Sequence, residues 1–272
     1  MCELLGLCLN RPVSASITIR QFGDRDAQNA DGWGLAWYPD RSIALIKEPV
    51  SWSSSGHTDF LESYRGITSS IYMAHVRHKT VGGVATHADT HPFVRELGGR
   101  EYCFAHNGTL EMTTDKLPLG RFRPIGGTDS EHLFAHLMSA LADRGATLEE
   151  PAQWELLHEL LVAANRFGKL NCLLSDGRTL FCYRDRGGHK GLGRRAIEIG
   201  HAAPNKLRDA ELTVHFEKDS SAQGFVVATH PLDAEDWDPI PTGELIAFQQ
   251  GRQVYPAQFA PSEKVAEAAG AT

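Results

Sequence analysis

A cysteine stands at position 2, where its type and place allow chemistry that a buried thiol does not. Ordinary removal of Met1 before so small a residue would leave a thiol and a free α-amine on one residue. An unperturbed α-amine titrates at about 7.7 to 8.0 and a thiol near about 8.5. The amine is therefore a usable general base for its own nucleophile, directly or through a water. A plainer reading competes: Cys2, like Cys8, is a small hydrophobe on the apolar strand "CELLGLCLN".

Further polar residues interrupt apolar runs. In "CFAHNGTL", Asn107 and Gly108 offer a side-chain amide and a backbone N–H, the composition of an oxyanion hole, although Asn-Gly alone also marks a hairpin turn. Arg77 in "MAHVRHKT" can hold a carboxylate through its planar fork, or be one more solvated cation. Asp129 in "GGTDSEHLF" can receive an ammonium, or favour the start of a helix through the dipole. Arg77 and Asp129 together would read the two charges of an amino acid. Thirteen histidines raise a metal alternative, chiefly His75, His78, His87, His91 and His106. "HADTHP" spaces two of them four apart, but Pro92 follows the second and no helical pattern surrounds them, and neither HExxH nor a Cys/His knuckle is present.

The elements that must position these residues are mostly strands. Short apolar runs bounded by turn signals predict strands at 3–9, 34–38, 42–47, 70–76, 101–106, 170–174, 179–183, 225–229 and 244–248. Asp176-Gly177 supplies the turn of a hairpin in "LNCLLSDGRTLFCYR". Two segments carry helical period. In "TDSEHLFAHLMSALADRG", Leu133, Leu137 and Leu141 recur beside Phe134 and Met138, Thr128 and Glu131 have capping-box spacing, and Gly145 closes the run. In "PAQWELLHELLVAANRFG", Trp154, Leu157, Leu161 and Ala164 share one face and Gly168 ends the run. The basic, glycine-rich stretch 184–209 puts Lys190 before Gly191 without the Ser/Thr and the following helix of a Walker loop, so it is expected to be surface loop. The residues after Phe259, "APSEKVAEAAGAT", are small and polar, as in a frayed tail.

The totals bound the partners. A net charge of -7, from 27 basic and 34 acidic residues, argues against an electrostatic grip on nucleic acid or an anionic membrane, and favours a small soluble ligand. The sequence shows no membrane-spanning run and no signal peptide, and five cysteines without a CxxC pair suit a reducing cytoplasm.

In this order, the Met-Cys start, "DGWGLAWY", "AHVRHKTVGG", "THPF", "FAHNGTL", "GGTDSE" and "VVATHPLDAEDWDPIPTGELIAF" resemble the class II glutamine amidotransferases, whose catalytic domain is an N-terminal-nucleophile hydrolase. The resemblance covers roughly 2–255, leaving 256–272 as a C-terminal tail. It implies an α+β fold, a four-layer α/β/β/α sandwich of two mostly antiparallel sheets. Carried over motif by motif, it implies Cys2 as nucleophile, with Asn107 and Gly108 as oxyanion hole. Arg77 would hold the substrate α-carboxylate, Asp129 the α-amino group, and Thr80 would sit among the glutamine-binding groups. It implies no cofactor and no metal. This chain departs from most of the large amidotransferases in having His78 where they have tryptophan, and Val81-Gly82 where they have histidine-glycine. The "DGWG" element and the length are similar to the stand-alone branch, which includes gamma-glutamyl hydrolases. The expected substrate is then glutamine or a gamma-glutamyl small molecule, attacked to give a thioester. Few residues follow the last predicted strand, so any ammonia would be consumed by a separate protein partner. Two other functions compete: a non-catalytic module binding gamma-glutamyl ligands, and a hydrolase built on a histidine-held metal.

Overall fold

The computed structural model describes residues 2–19, 30–64, 66–78, 86–111, 115–200, 206–208, 212–217 and 221–256. Its elements run β1 (Glu3–Ile19), β2 (Ala30–Trp37), β3 (Ala44–Glu48), α1 (Thr58–Ser63), β4 (Thr68–His78), β5 (Phe93–Leu97), β6 (Arg100–Leu110), α2 (Asp129–Asp143), α3 (Trp154–Ala164), β7 (Gly168–Ser175) and β8 (Thr179–Tyr183). They continue with β9 (Gly193–Ile199), β10 (Lys206–Arg208), β11 (Leu212–Phe216), β12 (Ala222–Ala228), β13 (Asp238–Pro239), β14 (Leu245–Gln249) and β15 (Arg252–Tyr255). Two sheets result. One has the order β13-β9-β12-β1-β4-β2-β3, with β11 and β10 extending from β1; the other has the order β15-β14-β8-β7-β6-β5. Every pairing among the described residues is antiparallel.

Alternation along the strands sets the layers, because successive side chains point to opposite faces. On β1, Leu5, Leu7 and Leu9 join an outer core with Trp33, Trp52 and Leu61. Leu4 and Cys8, on the other face, join Cys103, Leu173, Leu180 and Cys182 of the second sheet. Gly6 lies between those two, and a Cβ there would press on Leu180 and Leu173 at 3.0 and 3.2 Å, so the glycine lets the sheets close. The far face of the second sheet buries Phe104 and Leu174 under Leu133, Phe134, Leu137 and Leu141 of α2 and Leu157 and Leu161 of α3. This is the α/β/β/α sandwich. Its outer layer on the first sheet is thin among the described residues, with α1 and a 3-10 turn at Trp52–Ser54.

Both expected helices form with their apolar faces buried. Thr128 caps α2 by accepting the Glu131 N–H at 3.2 Å. The reciprocal arm of the capping box is absent: the Glu131 carboxylate instead accepts the Ile125 and Gly126 N–H groups at 3.1 and 2.7 Å and pairs with Arg95. Gly145 ends the helix with φ 62°, a conformation glycine adopts without steric cost.

Two expectations need correction, and one helix was unforeseen. Asn107-Gly108 is not a hairpin turn, since β6 runs on to Leu110 and pairs with β7 through Asn107↔Asn171 and Gly108↔Leu170. The stretch 184–209 is not all loop: β9 pairs with β12 and buries Arg194, Ile197 and Ile199, and β10 follows. The helix α1 had no periodic signal, because six residues are too few to show one. The tail from 256 lies, apart from Pro256, outside the described residues.

Candidate functional site

The registers collect the candidate residues at one end of the space between the sheets. β1 pairs with β4 through Glu3↔Val76 and Leu4↔His75, and the same register carried one residue further sets Cys2 against Arg77. β2 adds Gly32 on the other side of Arg77. Cys2 shares the parity of Leu4 and Cys8, and Asn107 that of Cys103 and Ala105, so both face the opposite sheet. They meet there: Asn107 Nδ2 donates to the Cys2 carbonyl oxygen at 2.7 Å. The amide carries two N–H donors, so this bond leaves one for another acceptor.

Exposure follows the same geometry. Asn107 is buried at 2%, whereas Cys2, Arg77, Gly108 and Asp129 are half-buried. The remaining four cysteines are buried. Gly108 is required by packing as well, since a Cβ would strike the Lys169 carbonyl and His106 Nε2. The "DGWG" glycines have a similar reason. A Cβ on Gly34 would meet the His91 carbonyl, one on Gly32 would press on Thr90 at 3.2 Å, and between them Trp33 is buried in the outer core. The two glycines let "THP" lie against β2.

Asp129 is the first residue of α2, and its carboxylate is held by two backbone donors, Leu110 N–H at 2.7 Å and Ser130 N–H at 2.9 Å. Ser130 Oγ also donates to Oδ1 at 3.4 Å, so Oδ2 is the oxygen that keeps a further lone pair for a ligand. His106 sits behind this point, with Nδ1 at 2.9 Å from Ser130 Oγ and Nε2 at 3.1 Å from the Lys169 carbonyl. Burial holds its pKa below the ordinary 6.5, against the opposing pull of Asp129. His91 is pushed well below 6.5 by burial and by the neighbouring His75, with which its ring is in contact at 4.2 Å. Among the described residues no group of three His, Cys, Asp or Glu side chains is placed to hold a metal ion.

Asp89 escaped the sequence reading, which weighed only the histidines of "HADTHP". Its carbonyl accepts from Arg77 Nη1 at 3.1 Å, and its Oδ1 accepts the Gly127 N–H at 2.7 Å. It therefore ties Arg77 to the loop that delivers Asp129. Lys47 supports the same strip by donating to the Thr90 and Pro92 carbonyls at 2.6 and 3.3 Å. Thr80 lies outside the described residues, as do Val81 and Gly82.

The chain and its fold have relatives. The family model for class-II glutamine amidotransferases matches residues 1–270. The chain belongs to the class-II glutamine amidotransferases. A protein of Methanocaldococcus jannaschii named as uncharacterised is 37% identical over 259 residues, 94% of this chain and 71% of that one. The crystal structure of a predicted glutamine amidotransferase from Pseudomonas aeruginosa is 30% identical, covers 93% of this chain and 99% of that one, and superposes with a TM-score of 0.75. The glutamine phosphoribosylpyrophosphate amidotransferase of Bacillus subtilis shares the fold at 14% identity, with a TM-score of 0.56 over 93% of this chain and 48% of that one. Family membership supports glutamine amide hydrolysis as the general reaction. No helix among the described residues of this amidotransferase is long and apolar enough to cross a membrane.

Proposed function

We propose that the chain hydrolyses the side-chain amide of glutamine or of a gamma-glutamyl compound through a thioester on Cys2. The observation that carries this reading is the bond from Asn107 Nδ2 to the Cys2 carbonyl at the rim of the inter-sheet space. It brings a donor with one N–H to spare against the residue with the half-buried thiol. Once Met1 is removed, the Cys2 amine takes the thiol proton and the sulfur attacks the amide carbon. The second Asn107 N–H, with the Gly108 N–H, stabilises the tetrahedral oxyanion; one such donor is worth about 2.7 to 4 kcal/mol of barrier. The protonated amine returns its proton to the departing nitrogen, the C–N bond breaks, and ammonia or an amine leaves. Water, deprotonated by the same amine, then attacks the thioester and releases glutamate. Arg77 binds the substrate α-carboxylate and Asp129 the α-ammonium, with Asp89 holding the two at a set spacing. Ammonia passes to a separate protein if it is used in synthesis.

The test is the glutaminase rate of Cys2→Ala beside wild type. Turnover should fall at least about a thousandfold with the melting temperature unchanged, as expected for loss of a nucleophile. Substantial residual hydrolysis would overturn the assignment.

A further inference from the structure

The basic, glycine-rich stretch that opens at Arg184 takes no part in the chemistry above, yet it walls a pocket of about 470 Å³ together with the turn at Asn165–Phe167 and the start of β7. Three cations line this pocket, Arg166, Lys169 and Arg186, in a chain whose net charge is -7. All three are exposed, and among the described residues none of them makes an ion pair.

The carboxylate in the pocket does not neutralise them by contact, because it is engaged elsewhere. Asp185 Oδ1 accepts the Gly187 and His189 N–H groups at 2.8 and 2.9 Å, and Oδ2 accepts Asn165 Nδ2 and the Leu170 N–H at 2.7 and 2.8 Å. The glycine loop thus wraps its own carboxylate where a phosphate loop would wrap a ligand. Backbone cradling of a phosphate is thereby ruled out at these donors, and recognition is left to the side chains. Burial raises the Asp185 pKa, but these hydrogen bonds outweigh it and hold the group below its ordinary value. His189 is lowered by burial and then by Lys169 and Lys190, the sign of a positive surrounding.

The pocket adjoins the candidate site. Lys169 pairs with Thr109 and Leu170 with Gly108. Asn171, directly across from Asn107, donates to the His189 carbonyl at 2.6 Å and accepts the Asp185 N–H at 2.9 Å. One strand spacing, about 5 Å, therefore separates the oxyanion pair from the pocket floor.

We propose that this pocket binds a small molecule through a carboxylate or phosphate group, held by Arg166, Lys169 and Arg186 beside the glutamine site. Such a group could be borne by the gamma-glutamyl substrate or by a second ligand, and two measurements on the full chain separate these. The first is calorimetric titration of wild type and the double variant Arg166→Gln/Arg186→Gln with inorganic phosphate. The second is kcat/KM for gamma-glutamylglycine against its neutral glycinamide counterpart, with glutamine as reference. Saturable phosphate binding weakened at least tenfold in the variant supports a separate anionic ligand. A preference of at least tenfold for the carboxylate substrate, lost in the variant while glutamine hydrolysis stays within twofold, supports a substrate-borne group. Neither response in wild type would overturn the proposal. The phosphate arm needs no turnover, so failure of the hydrolase reading would be seen separately, as absent glutamine hydrolysis in wild type.

Discussion

The two ends of the inter-sheet space are built from the same strands and have opposite chemistry. At the closed end, Cys8, Cys103 and Cys182 lie among Leu173, Leu180 and Ile246. Burial there raises the Cys8 thiol to about 11 and pushes Cys103 and Cys182 higher still. At the open end, β1 and β6 present Cys2 and Asn107 on the same faces, beside Arg77. What sets the two ends apart is position along a strand: a thiolate needs access and polar neighbours, and the strand ends supply them. Four thiols fill space, and the fifth is held at the rim.

Substitutions at the two ends should separate accordingly. Asn107→Ala should lower kcat for glutamine by about 10² to 10³, the usual loss for one oxyanion donor, with KM little changed. An unchanged kcat would make Asn107 a structural strap on Cys2 and no more. Arg77→Ala should raise KM about 10- to 100-fold, because a charge-assisted hydrogen bond to substrate contributes about 1.5 to 3 kcal/mol. Glutamine kinetics untouched by that change would place the carboxylate elsewhere. At the closed end, Cys182→Ser should leave kcat within about twofold and cost about 1 to 3 kcal/mol of stability in a denaturant titration, since it buries a hydroxyl among apolar neighbours. A large loss of kcat there would break the contrast between the ends.

The smallest effect concerns pH. His91 and His106 have folded pKa values below their ordinary 6.5. Between the two values the unfolded chain binds more protons than the folded one, so stability rises with pH in that window. The melting temperature should therefore fall as pH drops below about 6.5. A melting temperature independent of pH from 7.5 to 5.5 would show that neither imidazole is held neutral.

Much of this contrast was legible in the sequence, and the failures have physical reasons. The unbroken apolar run Leu4 to Leu9 reports a strand covered on both faces, the helical spacing of Trp154, Leu157, Leu161 and Ala164 reports one buried face, and the structure buries those residues. β9 was missed because the charges of "RRAIEI" look like loop in isolation, although Arg194 is buried and Arg195 half-buried. Asn107-Gly108 reads locally as a turn, but its glycine is needed for the close approach of Lys169, a contact 61 positions away that no local pattern contains. Asp89 was invisible for the same reason, since its partners Arg77 and Gly127 come from separate segments. Local motifs thus sufficed to name the candidate residues, and the struts that space them were not legible.

Reaction with a glutamine-analogue alkylator, followed by intact mass and peptide mapping, tests the central claim most directly. The reading predicts a chain lacking Met1 that gains one adduct, located on Cys2, with loss of glutaminase activity in step. An adduct on any of the other four cysteines, or full inactivation with Cys2 unmodified, would contradict it.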